Sequence, residues 1–124
     1  MDIKKLKSCI EELKEDLGNG LLATDIYAMA DGQSIAGYNS NPKACALFGR
    51  VTTGLVNTLK TSGLPELNSY YILDLTEGRL VLIVPMDRFQ WTITVDKENT
   101  PLGLLLHVVL PKVLDSFEEA LSEE

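Results

Sequence analysis

The stretch Arg79-Leu80-Val81-Leu82-Ile83-Val84-Pro85 decides the fold. Successive side chains of a strand point to opposite faces of a sheet, so an unbroken apolar run has no wet face to offer. Leu80 to Val84 must therefore be covered on both sides, and the chain has to supply helices for both. Downstream, Phe89, Trp91, Ile93 and Val95 alternate with Gln90, Thr92 and Thr94, which predicts a strand that buries mainly one face. Upstream, Tyr70 to Leu75 is a third strand-like run, joined to the all-apolar one through the turn dipeptide Glu77-Gly78. The three runs read as an antiparallel meander.

Leu21 to Ala30 suits another strand, followed by Asp31-Gly32, a dipeptide that tolerates positive φ, and by a short run through Ile35 and Tyr38; together these predict a β-hairpin. Ahead of it, Ile3, Leu6, Ile10, Leu13 and Leu17 recur at three- and four-residue steps, a narrow apolar stripe on an otherwise charged helix that Gly18 and Gly20 end. Asn41-Pro42 places a capping side chain before a residue with fixed φ and no amide hydrogen to lose, so a second helix should start there and run to about Ser62, with Gly63 as its left-handed cap. Thr100-Pro101 repeats the signal, and Leu102, Leu105, Leu106, Val109, Leu110, Val113, Leu114, Phe117 and Leu121 follow at helical steps. Pro111 cannot bond the carbonyl of His107 and should kink this last helix, and the acidic tail from Ser116 should fray. The order is α-β-β-α-β-β-β-α: an α+β fold, one domain over residues 1–124, with a five-stranded antiparallel sheet carrying helices on both faces.

The second helix carries two stripes. Leu47, Val51, Leu55 and Leu59 are large and four apart, which fits a helix laid on the sheet; Ala46, Gly49 and Thr53 are small and lie on a neighbouring face. Gly49 and Gly54 each cost the helix roughly 1 kcal/mol relative to Ala, so close packing must offset them. Two neighbours could require it: another helix, or the protein's own sheet.

The 124 residues are 45% hydrophobic and 23% charged, enough apolar material for one core and ordinary for a globular chain. A net charge of −7 disfavours a nucleic-acid partner, because that affinity comes mainly from Lys and Arg displacing counterions. Cys9 and Cys45 lack the spacing of a zinc site or a disulfide framework and suit a reducing cytosol. The charged opening has no signal-peptide core, and no apolar run approaches the ~20 residues that cross a bilayer, so a cytoplasmic protein without membrane insertion is expected.

Chemistry is sparse. His107 is the only histidine and lies in an apolar run, where a packed or rim position is expected rather than a general base. No serine has a nucleophile-elbow context, and neither cysteine sits in a redox motif. Asp16-Leu17-Gly18-Asn19-Gly20 leads into a strand with no Gly-Lys-Ser/Thr after it, so no phosphate loop forms. Asp25, Asp31, Asp74, Asp87 and Asp96 are scattered and read as solvated turn residues rather than metal ligands. Trp91 and the pair Tyr70-Tyr71 read as packing residues, and Arg50 and Arg88 as possible anchors for a protein partner.

Several of these features, in this order, resemble the roadblock/dynein light chain superfamily: the opening helix, Leu21-Leu22-Ala23 leading to Asp31-Gly32 and Ile35-Ala36, the long second helix, the strand Arg79 to Pro85, and Leu102-Gly103-Leu104-Leu105 opening the last helix. The resemblance covers nearly the whole chain, with departures at Pro111 and at Leu106-His107. It implies a roadblock/profilin-like fold with no active site, cofactor or metal of its own. It further implies a homodimer built by pairing third strands and second helices, with Ala46, Gly49, Arg50, Thr53, Val56, Tyr70, Tyr71 and Ile72 at the interface. The platform so formed would bind a small Ras-like GTPase as regulator or scaffold, and gliding-motility-type relatives stimulate their partner's hydrolysis. A different class of function, a PAS- or profilin-like module sensing a small ligand or peptide, fits the same helix-sheet order; the uniformly apolar middle strand argues for a filled core instead.

Overall fold

A computed structural model describes residues 1–122. Its five strands form one antiparallel sheet in the order β2-β1-β5-β4-β3. Helix α1 (Ile3–Leu17) starts where the Asp2 carboxylate accepts from the Lys5 amide, and it buries Leu6, Ile10, Leu13 and Leu17 of the expected stripe together with Cys9, whereas Ile3, in the first turn, is 50% exposed. A 3-10 turn at Gly18–Gly20 leads into β1 (Leu21–Ala28), which pairs with β2 (Ser34–Tyr38). Helix α2 runs Pro42–Ser62 between the expected caps, the Asn41 side chain accepting from Ala44 and Gly63 turning left-handed at φ 78°. Strands β3 (Tyr71–Asp74), β4 (Arg79–Met86) and β5 (Phe89–Asp96) make the meander.

The register sorts β4 onto two faces. Leu80, Leu82 and Val84 stand opposite Val95, Ile93 and Trp91 on the face covered by α1 and the last helical segment, and all six are buried in one core. The Trp91 and Phe117 rings meet edge to face at a centroid distance of 5.5 Å, and the Trp91 indole donates to the Thr24 hydroxyl at 2.7 Å, so the ring is satisfied at both its apolar and polar ends. Val81 and Ile83 face the other side, towards α2. As the apolar run required, Leu80 to Val84 are all buried.

Two expectations are corrected, on β5 and on the tail, and the break expected near Pro111 takes a definite form. Strand β5 is not wet on one side: it lies between β1 and β4 at the middle of the sheet, so Gln90 and Thr92 are buried along with Trp91, Ile93 and Val95. The Gln90 amide accepts from Thr52 of α2 and donates to the Tyr27 hydroxyl, so its burial is offset by hydrogen bonds. Around Pro111 the discontinuity takes the form of a π turn. The last segment opens as α3 (Leu102–Leu104), widens over Leu105–Val109, where the Leu110 amide reaches the Leu105 carbonyl, and continues as α4 (Leu110–Ser122). The tail is also docked where it is described: Phe117 and Ala120 are fully buried, and the Ala120 carbonyl accepts from the Asp2 amide at 2.9 Å. The end of the expected frayed tail, residues 123–124, lies outside the described residues.

Candidate interaction surface

The residues α2 buries are Cys45, Gly49 and Thr52. A Cβ at Gly49 would come within 2.8 Å of the Met29 carbonyl oxygen, and one at Gly32 would come within 2.9 Å of the Ala46 amide nitrogen. Helix and hairpin therefore approach backbone to backbone, and the small residues Ala46 and Gly49 serve the chain's own sheet. A Cβ at Gly54 would meet open space. Leu47 is 49% exposed and Val51 38%, with Leu55 and Val56 half-buried. The expected assignment is thus reversed at Leu47 and Val51, which face outward rather than onto the sheet. At about 100° per residue, these two lie on the flank away from Ala46 and Gly49. Besides this flank, the sheet itself has an open end on the side opposite β2.

Strand β3 is that end. It pairs only with β4, which leaves the backbone groups of its outer side unpaired, while Tyr71, Ile72 and Leu73 are half-buried. Tyr70, expected to pack, is instead 40% exposed just before the strand. Of the other candidates, Arg50 and Thr53 are exposed on α2, the Thr53 hydroxyl donating to the Gly49 carbonyl of its own helix at 3.0 Å. Arg88 is exposed in the β4–β5 turn, and His107 is exposed on the π turn. Leu47 and Val51 were not singled out for an outer surface, because spacing alone gives both stripes of α2 the same helical period.

A line of buried polar side chains holds α2 down. The Thr52 hydroxyl lies 2.6 Å from the Tyr71 hydroxyl and donates to Gln90 Oε1 at 2.6 Å, while Gln90 Nε2 donates to the Tyr27 hydroxyl at 2.7 Å. Burial pushes the Tyr27 and Tyr71 phenols above their ordinary range. The Cys45 thiol is pushed up to about 12, first by burial and then by the nearby charge of Asp25 and a hydrogen bond to it. Asp25 corrects another expectation, being 4% exposed rather than a solvated turn residue. Its carboxylate accepts from the Ser34 and Ser40 hydroxyls and from the Asn41 amide, so it anchors the chain where α2 begins. Asp74 pairs with Lys97 at 2.7 Å, and Asp31 and Asp96 accept from nearby backbone amides. Among the described residues no three His, Cys, Asp or Glu side chains gather as a metal site, and no helix is long and apolar enough to cross a membrane.

No family model matches the sequence, and no curated protein matches it. Solved structures do. Myxococcus xanthus MglB superposes with a TM-score of 0.79 at 14% identity, covering 98% of this chain and 93% of that one. A structure described as MglB with tetrameric arrangement gives 0.71 at 13% identity over 94% and 90%. A Roadblock/LC7 domain from Streptomyces avermitilis gives 0.66 at 12% identity over 99% and 100%. The protein has a roadblock-type fold. The likeness to Myxococcus xanthus MglB extends over nearly the full length of both chains.

Proposed function

We propose that this chain is a non-catalytic, homodimeric regulator or scaffold of a small Ras-like GTPase. The carrying observation is that one subunit leaves both the edge of β3 open and an apolar flank of α2, at Leu47 and Val51, exposed. Two copies joined edge to edge by β3 would continue the sheet and bring both α2 helices onto the same face, covering apolar surface that a monomer leaves in water. The resulting pair of helices, with Arg50 of each copy exposed between Val51 and Gly49 in sequence, is the platform for the GTPase. The likeness to a structure described as MglB with tetrameric arrangement supports self-association of this fold.

Sedimentation equilibrium tests the dimer. Calorimetric titration with small Ras-like GTPases of the source organism, loaded with GDP or with a non-hydrolysable GTP analogue, tests the partner. A dimer that binds one nucleotide state more tightly is the expected result; a dimer that binds neither state of any of them would sink the GTPase assignment.

A further inference from the structure

Beneath the start of the last helical segment lies an open groove of about 390 Å³. Ile72 and Leu80 of the sheet line it together with Leu102 and Leu106 at its helical lip, and the Asp74–Lys97 ion pair belongs to the same lining. Leu102 is 54% exposed, so the lip is wet. The groove opens at the free edge of the sheet, because Ile72 and Asp74 are alternate residues of β3 itself. Ile72 stands opposite Leu82, on the face of the α1–α4 core, and alternation puts Tyr70 on that same face. The 40% exposed Tyr70 and the groove are thus at opposite ends of one short edge strand, on the same side of the sheet.

An antiparallel pair of β3 strands about a twofold axis perpendicular to the sheet brings these ends together. Residues directly opposite each other share a face, so a strand this short, centred on its partner, has either Ile72 opposite Ile72 or Leu73 opposite Leu73. The Leu73 register sets the Asp74 carboxylate against the partner's Ile72. The Ile72 register sets it against the partner's Tyr70, whose ring then rises beside Leu102 and Leu106 with its hydroxyl near the ion pair. We propose that the groove beneath α3 receives the partner's Tyr70, with Ile72 opposite its own copy. The proposal rests on the dimer described above and assigns each subunit a pocket that only a second copy fills.

The test uses the full chain. On oxidation, a Tyr70→Cys/Asp74→Cys double variant should form a covalent dimer on a non-reducing gel, since opposite Cα atoms of an antiparallel pair, ~4.5–5.5 Å apart, are within disulfide reach. A Leu73→Cys variant should not. Tyr70→Ala should weaken self-association about tenfold in sedimentation, with an unchanged circular dichroism spectrum, as for an anchoring aromatic. A wild-type dimer whose affinity is indifferent to Tyr70→Ala, or whose double variant fails to cross-link, overturns the inference and leaves the dimer standing. Cross-linking through Leu73→Cys overturns the register. A wild-type chain that stays monomeric at 100 μM, on the order of the weakest stable self-association, removes the dimer and the inference together.

Discussion

The hydroxyls of Thr52 on α2 and Tyr71 on β3 lie 2.6 Å apart, and the same Thr52 hydroxyl donates to Gln90 at the middle of the sheet. One small side chain therefore ties the helix of the proposed platform to the strand of the proposed dimer edge. Because Thr52 is 2% exposed, water cannot replace either bond without opening the helix.

Thr52→Val keeps the shape and removes both bonds, leaving Gln90 Oε1 buried without its donor. The expected cost is about 1–3 kcal/mol in urea unfolding. Tyr71→Phe should cost less in the Thr52→Val background than alone, since the two share a contact. Strict additivity would show that the hydroxyl pair does not couple helix to strand.

Gly49 and Gly54 should respond in opposite ways to alanine. Gly54→Ala adds a methyl to open space and should stabilise the chain by roughly 0.5–1 kcal/mol through helix propensity. Gly49→Ala drives a Cβ against the Met29 carbonyl and should destabilise the subunit despite the same propensity gain. Thermal melts of the two variants decide this, and a Gly49→Ala chain at least as stable as wild type would mean the helix can lift off the hairpin freely.

Val51→Glu places a charge on the exposed flank of α2. It should convert the proposed dimer to monomer in light scattering while the circular dichroism spectrum and melting midpoint stay close to wild type. Retention of the dimer would place the helical contact elsewhere on α2.

Stability should fall on the alkaline side. In the unfolded chain the Cys45 thiol loses its proton around its ordinary value of 9.0, whereas in the folded chain it holds it to about 12. Between these values the unfolded state binds fewer protons, so unfolding becomes more favourable as pH rises, and the raised phenols of Tyr27 and Tyr71 act in the same direction at higher pH. Urea midpoints should therefore drop from pH 8.5 towards pH 11, about where a thiol and then phenols titrate, and Cys45→Ala should flatten the first part of the fall. A midpoint in the Cys45→Ala chain with the same pH slope would assign the loss to other groups.

Local signals in the chain were enough for the elements and their order. The caps Asn41-Pro42 and Gly63, the stripe from Leu6 to Leu17 and the run Leu80 to Val84 act over a few residues, through capping, helical period and strand alternation, and each appears where those rules place it. The roles of Gly49, Asp25, Gln90 and Val51 are of another kind. Gln90 is buried because β1 crosses beside β5, and Asp25 because Ser34, Ser40 and Asn41 return to it from up to sixteen positions along the chain. Two stripes of α2 share one period, so helical spacing could not say which would turn inward. Contact with the hairpin, at Met29 and Gly32, admits only the small one, and it is this long-range steric fit that leaves Leu47 and Val51 facing the solvent.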